Sequence, residues 1–206
     1  MLDLYDEIFL LFVHCLFVTV LFAQSPKIVQ KPITWNQERI QLSLDYLKNR
    51  HGLSQAAPTI QPKMVVVHWT ANNSVKATFN TFNPVKLPGR PELTKASPLN
   101  VSSQFVIDRD GTIYQFLPDT IFARHTIGLN YCAIGIENIG SRQNPLTDAQ
   151  LKANEELIRY LRKKHAIEYV IGHHEYQRFK KLPGGRKLIL NISLVKMIPG
   201  INLCMR

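Results

Sequence analysis

Apolar positions fall into short dense runs, separated by stretches in which they recur at helical spacing. Val65, Val66 and Val67 form a β-branched run that reads as a buried strand. Ala133 to Ile139 reads as another strand, and Tyr169 to Gly172 as the last clear one. Ser102 to Ile107 and Thr112 to Leu117 flank the turn Asp108-Arg-Asp-Gly111 and predict a β-hairpin. Between these lie helical patterns. Trp35 to His51 carries Ile40, Leu44 and Leu47 at helical spacing, with Thr34 as the expected N-cap, Gln37 at the capping-box position and Gly52 as the stop. Val75 to Phe82 predicts a short helix. Thr147 opens a long amphipathic helix to about His165, with Leu151, Leu157, Ile158 and Leu161 on its inner face. Ser25 to Thr34 reads as a linker, Ala56 to Lys63 as a Pro-containing loop, and the Pro-rich Asn83 to Asn100 as a long surface loop. No internal repeat is present. Strands alternating with helices predict a single α/β domain: a mixed central sheet flanked by helices.

Length and composition agree with this. The 206 residues are 45% hydrophobic, enough for one domain with a proper core. At 19% charged residues the chain is not a disordered, highly charged one. A net charge of +10 and a pI near 9.7 favour polyanionic partners: nucleic acid, anionic lipid or an acidic cell-wall polymer. No aromatic-interleaved basic stripe or Arg-rich helix is present, so no nucleic-acid partner is expected. Part of the excess sits in the tail, where no acid follows Glu175. Cys15, Cys132 and Cys204 form no CxxC pair, and a disulfide framework is not expected. Cys132 reads as a small buried residue.

Ile8 to Ala23 is an apolar run too short for a transmembrane helix, and it fits a signal-peptide core ending at Ala23. Asp3, Asp6 and Glu7 stand where a positive segment is expected, and the first basic residue is Lys27. Export is the expectation, with no stable membrane span. An uncleaved anchor and a misplaced start codon are the alternatives.

Two strands carry candidate chemistry. The valine run ends in His68, and Tyr169-Val-Ile-Gly172 ends in His173. Open α/β sheets place their chemistry at the C-terminal ends of strands. Two strands that each deliver a His to one sheet edge suggest a metal site, and neutral imidazole suits zinc.

Six segments, in order, carry a resemblance. They are Val65-Val-Val-His-Trp-Thr-Ala71, Ser103-Gln-Phe-Val-Ile-Asp-Arg-Asp-Gly-Thr-Ile-Tyr114, Ala123-Arg-His-Thr-Ile-Gly-Leu-Asn130, Ile134-Gly-Ile-Glu-Asn138, Leu146-Thr-Asp-Ala-Gln150 and Ile171-Gly-His-His-Glu175. Over about Trp35 to Pro183 the chain resembles zinc-dependent N-acetylmuramoyl-L-alanine amidases of the type 2 amidase and peptidoglycan recognition protein family. That resemblance implies the family's fold, a Zn2+ cofactor and peptidoglycan or muropeptides as partner. It implies His68 and His173 as zinc ligands and Glu137 as the carboxylate that takes a proton from an activated water. His174 is expected on the opposite face of an extended chain, as a supporting residue. His125 and Asn130 fall in the family's substrate-facing loop, and either substrate contact or a structural role fits them. Ser103 stands where the family has a tyrosine, so no phenol is assigned there.

The pattern breaks after Gly184. The family's third ligand lies in a motif like Lys-Thr-Asp-Pro-Gly, and this chain reads Lys196-Met-Ile-Pro-Gly200. Ile198 cannot bind zinc. Met is always ATG and Ile always begins AT, so Met197-Ile198 read one base out of frame contains GAT, an Asp codon. Residues 184–206 are therefore expected to be a frameshifted tail. The alternative is a divergent tail that uses Cys204 or Glu175 as ligand. Two functions follow from the resemblance: hydrolysis of the muramoyl–L-alanine amide, impaired here by the missing ligand, or non-catalytic peptidoglycan binding.

The chain as given is expected to hold zinc weakly, and a chain read in the other frame after Gly184 to hold it stoichiometrically. Metal content of both purified chains after dialysis against a chelator checks this. Stoichiometric, chelator-resistant zinc in the present chain would contradict it.

Overall fold

A computed structural model describes residues 25–89 and 91–176 of the chain. The valine run forms strand β2 (Met64–Trp69 in full), which runs parallel between β5 (Ala133–Asn138) and β6 (Tyr169–Gly172). With β1 (Ile28–Gln30), β3 (Phe105–Ile107) and β4 (Ile113–Gln115) they make one sheet in the order β1-β4-β3-β5-β2-β6. The β3–β4 hairpin is antiparallel, while the other pairs are parallel, so the sheet is mixed as expected. The helices are α1 (Gln37–His51), α2 (Val75–Phe82), α3 (Pro91–Thr94) and α4 (Asp148–Lys164), and a 3-10 turn (His173–Tyr176) follows β6. Among the described residues no helix is long and apolar enough to cross a membrane.

Alternation along the strands splits the core. Val65, Val67, Ile134, Ile136, Phe105 and Ile107 pack with Leu157, Ile158 and Leu161 of α4. Met64, Val66 and Ala133 turn the other way, toward Leu129 and Cys132. Helix α4 is pinned at its start by the expected capping box. Thr147 Oγ1 accepts from Gln150 N at 3.1 Å, and Gln150 Oε1 accepts from Thr147 N at 3.1 Å. The same Gln150 donates through Nε2 to Ile139 O at 2.9 Å, which ties the helix start to the end of the β5 segment. Leu151 is only half-buried; Ala153 and Asn154 take the inner positions, and Asn154 Nδ2 donates to Asn138 Oδ1 at 2.7 Å.

Three local expectations change. The segment 24–34, read as a linker, contains β1, whose Ile28, Val29 and Gln30 lie in register with Ile113, Tyr114 and Gln115. Its three residues are too short to show a period. Helix α1 is capped by Asn36, whose Oδ1 accepts from Arg39 N at 3.0 Å, and not by Thr34. Thr34 instead donates its N–H to Asn83 Oδ1 at 2.8 Å. Gly52, as expected, ends the helix with a positive φ of 65°, a conformation glycine adopts without steric cost. Finally, the loop 83–100 contains α3 and is fastened by buried arginines. Arg39 Nη2 donates to the carbonyls of Phe82, Asn83 and Pro84 at 3.0, 2.9 and 2.8 Å. Arg124 donates to those of Leu93, Ser97 and Leu99. No period in the sequence reveals a cation wrapped in carbonyls.

A buried carboxylate anchors the C-terminal end of α4. Asp119 Oδ2 accepts from Lys164 Nζ at 2.8 Å and from His165 Nε2 at 2.9 Å. Burial raises its carboxyl pKa, but the hydrogen bonds from Lys164 and His165 outweigh that and hold it below its ordinary 3.8. A carboxyl depressed on folding adds stability above its unfolded pKa, and that stability is lost as pH falls through the folded value. Asp119→Asn is expected to cost about 1–3 kcal/mol near neutral pH, read as a lower urea midpoint. The gap from wild type should begin to close near pH 3.8 and vanish below the folded value. A gap that closed at higher pH would contradict the assignment.

Candidate active site

Parallel pairing brings three strand ends together. His68 stands directly opposite Glu137 across β2 and β5, and Val67 opposite Gly172 across β2 and β6, so His173 emerges beside His68. The His68 and His173 rings lie 4.7 Å apart, centre to centre, tilted by 52°. His68 Nδ1 is 4.0 Å from Glu137 Oε1. His68 is 5% exposed and Glu137 8%, whereas His173 is open to solvent.

Burial dominates the electrostatics. It holds the His68 imidazole well below its ordinary pKa of 6.5, and the neighbouring His125 and His173 push the same way. Burial also pushes the Glu137 carboxyl up to about 8. With an uncharged imidazole facing a carboxyl that burial keeps protonated near neutral pH, the 4.0 Å contact is not an ion pair, although its distance alone would allow one. Glu137 Oε2 is buried and makes no hydrogen bond, a costly state for a polar atom. Two imidazoles beside an orphaned carboxyl oxygen fit two protein ligands of a catalytic zinc and its adjacent base. Among the described residues no group of three His, Cys, Asp or Glu is placed to hold a metal ion. Of the third-donor positions, Ile198 and Cys204 lie outside the described residues, whereas Glu175 is described and its Oε2 accepts from Gly172 N at 2.8 Å.

His125 and Asn130 were candidates for substrate contact. His125 sits beneath His68, with its Nδ1 3.0 Å from His68 Nε2 and its own Nε2 3.1 Å from Ala133 O. Asn130 is 1% exposed, and its Oδ1 accepts from the N–H groups of His125 and Thr126 at 3.0 and 2.7 Å. Its side-chain oxygen shapes the loop. His174 does not lie across an extended chain from His173, because β6 stops at Gly172 and both histidines enter the 3-10 turn. Glu175 Oε2 accepts from Gly172 N at 2.8 Å, which favours that turn. Ser103 is buried and donates to Phe105 O at 3.0 Å. Cys132 is buried, and burial pushes its thiol up to about 11, so it is no nucleophile at neutral pH.

Two residues of the site escape a reading of the sequence. Thr126 Oγ1 lies 3.3 Å from His68 Nε2 and 2.9 Å from His125 Nδ1, and nothing in its surroundings marks it. Gly135 makes room for His125: a Cβ there would lie 2.8 Å from the His125 ring. A glycine inside a strand is a signal of close approach, and Ile134-Gly-Ile-Glu137 carries it.

The strand ends of this mixed sheet thus gather two imidazoles and a buried carboxyl, groups that metal-assisted hydrolysis employs. The particular family follows from the sequence. The chain belongs to the N-acetylmuramoyl-L-alanine amidase family (Amidase_2), whose pattern matches residues 58–187, more than half of the 206. In fold the chain is similar to the N-acetylmuramoyl-L-alanine amidase LysC from Clostridium intestinale URNW, at 24% identity and a TM-score of 0.50, over 73% of this chain and 84% of that one. It is similar also to AmpD, solved as a selenomethionine derivative, at 22% identity and a TM-score of 0.51, over 73% and 83%. PGRP-SA of Apis mellifera matches at 18% identity and a TM-score of 0.46, over 76% and 96%. No curated protein matches the chain in sequence.

Asn130→Ala strands two backbone N–H groups and is expected to cost about 1–3 kcal/mol. Hydrogen exchange locates the effect: the His125 and Thr126 amides should lose protection ahead of the β5 amides. Unchanged protection at those two residues would contradict the role given to Asn130.

Proposed function

We propose that the chain hydrolyses the amide bond between N-acetylmuramic acid and L-alanine in peptidoglycan or its muropeptides. The observation that carries this is the orphaned Glu137 carboxyl oxygen, buried beside the paired imidazoles of His68 and His173. Membership of the amidase family supports it. His68 and His173 are the residues that would hold a zinc ion. Bound there, zinc would supply a Lewis acid that acidifies water and polarises the scissile carbonyl.

The chain's own part is proton transfer. Burial alone keeps the Glu137 carboxyl protonated near neutral pH; a cation held by His68 and His173 would favour the carboxylate, the form that acts as a base. A water at Glu137 then loses its proton to the carboxylate as its oxygen attacks the carbonyl carbon. The proton passes on to the departing alanine nitrogen, which closes the cycle. The positive net charge suits an acidic wall polymer, and the apolar run Ile8 to Ala23 supports a site of action outside the cytoplasm.

Non-catalytic binding of peptidoglycan is the second reading. What favours it is that Ile198, which cannot bind zinc, stands where the resemblance implies the third ligand. One experiment separates the two. The purified chain is supplied with zinc and muropeptides, and peptide release and muropeptide binding are both measured. Release that falls about 100- to 10,000-fold in Glu137→Gln, with zinc retained, is expected. Near-normal release in that variant would sink the role of Glu137. Binding without release in the wild type would give the protein to the second reading.

A further inference from the structure

We propose that His125 is a positioning residue, which fixes the proton of His68 on Nε2 and so presents a bare Nδ1 toward Glu137 as the metal-binding atom. The inference rests on the reading of His68 as a ligand and adds which nitrogen binds and what sets it.

Ala133 O is a carbonyl and has no proton to give. His125 Nε2, 3.1 Å away, must therefore donate to it. A singly protonated His125 ring therefore carries its proton on Nε2. Its Nδ1 is then an acceptor. Facing that Nδ1, at 3.0 Å, is His68 Nε2. Two bare nitrogens at this distance would turn their lone pairs on each other, so a proton must lie between them. His125 has none left to offer there, and His68 must supply it from Nε2. Thr126 Oγ1, 2.9 Å from His125 Nδ1 and 3.3 Å from His68 Nε2, fits the same polarity: it accepts from His68 and donates to His125.

A neutral His68 protonated on Nε2 is bare on Nδ1, the atom 4.0 Å from Glu137 Oε1. The lone pair thus points to the gap beside the carboxyl. A metal-binding histidine is ordinarily oriented by a hydrogen bond from its other nitrogen to a carbonyl, carboxylate or water. Here the acceptor is another imidazole, itself locked by a main-chain carbonyl. Gly135 is part of the device, because a Cβ at that position would come within 2.8 Å of the His125 ring and displace it.

The test begins on the metal-free full chain labelled with 15N-histidine. Long-range proton–nitrogen spectra distinguish a protonated from a bare ring nitrogen, and the His68 signals are assigned by their loss in His68→Gln. The expected result is a proton on His68 Nε2 and none on Nδ1. A proton on Nδ1 overturns the proposal, with no variant needed. Zinc affinity is then measured by competition with a chelator. His125→Phe keeps the ring's bulk without its nitrogens and is expected to mix the His68 tautomers and weaken zinc 10- to 100-fold, a range of about that size being usual for such partners. His125→Asn, which restores an acceptor near the Nδ1 position, should recover most of both. Gly135→Ala should reproduce the His125→Phe result by moving the ring. A His125→Phe chain with unchanged tautomer and affinity, or a His125→Asn chain no better than His125→Phe, overturns the proposal. The tautomer is read without metal or substrate. An inactive chain with the expected tautomer therefore counts against the amidase reading alone.

Discussion

The parallel register of β2 against β5 and β6 is the constraint on which the site depends. Six paired residues from Met64↔Ala133 to Trp69↔Asn138 set His68 opposite Glu137. A slip of one residue would send the His68 side chain to the α4 face and leave Glu137 without its neighbour. The register is secured by burial on both faces. Val65, Val67, Ile134 and Ile136 pack on α4, while Met64, Val66 and Ala133 pack on the opposite cluster. Asn138 adds a polar check: its Nδ2 donates to His68 O at 3.1 Å and its Oδ1 accepts from Asn154 on α4. Core packing and site geometry are thus one structure.

Beneath the strand ends, the segment 123–133 does the orienting. Asn130 folds it by accepting from His125 N and Thr126 N, and Arg124 beside them grips the carbonyls of the loop 83–100. This places a ring, His125, in the space that Gly135 leaves open. The chemistry at the surface is held by polar contacts that are themselves buried, where each is stronger and each omission costs more. Glu137 Oε2, at the strand end above them, is a buried oxygen that makes no hydrogen bond. A buried polar atom left so beside two imidazoles is where function is to be sought.

The sequence made much of this legible, for identifiable reasons. The β-branched run before His68, the strand before His173 and the capping box at Thr147 all express short-range rules, and each element stands where those rules put it. Glu137 was reached through the order of six segments, because its immediate surroundings say only that a strand ends there. What was not legible is long-range. The edge strand β1 owes its existence to β4, distant in sequence. Asn36 displaced Thr34 as cap because Asn83 occupies Thr34. The inward roles of His125 and Asn130 depend on which side of the sheet the loop crosses, which no spacing encodes. His174 departs from the extended-chain expectation because a turn begins at His173.

The central claim is that His68 and His173, delivered by neighbouring parallel strands, act together on one metal ion beside Glu137. X-ray absorption on the chain loaded with one equivalent of zinc tests this most directly. The account predicts imidazole nitrogens from both residues at about 2.0–2.1 Å, with one lost in His173→Ala and the other in His68→Ala. Bound zinc with no imidazole in its shell, or a shell unchanged in either variant, would contradict it.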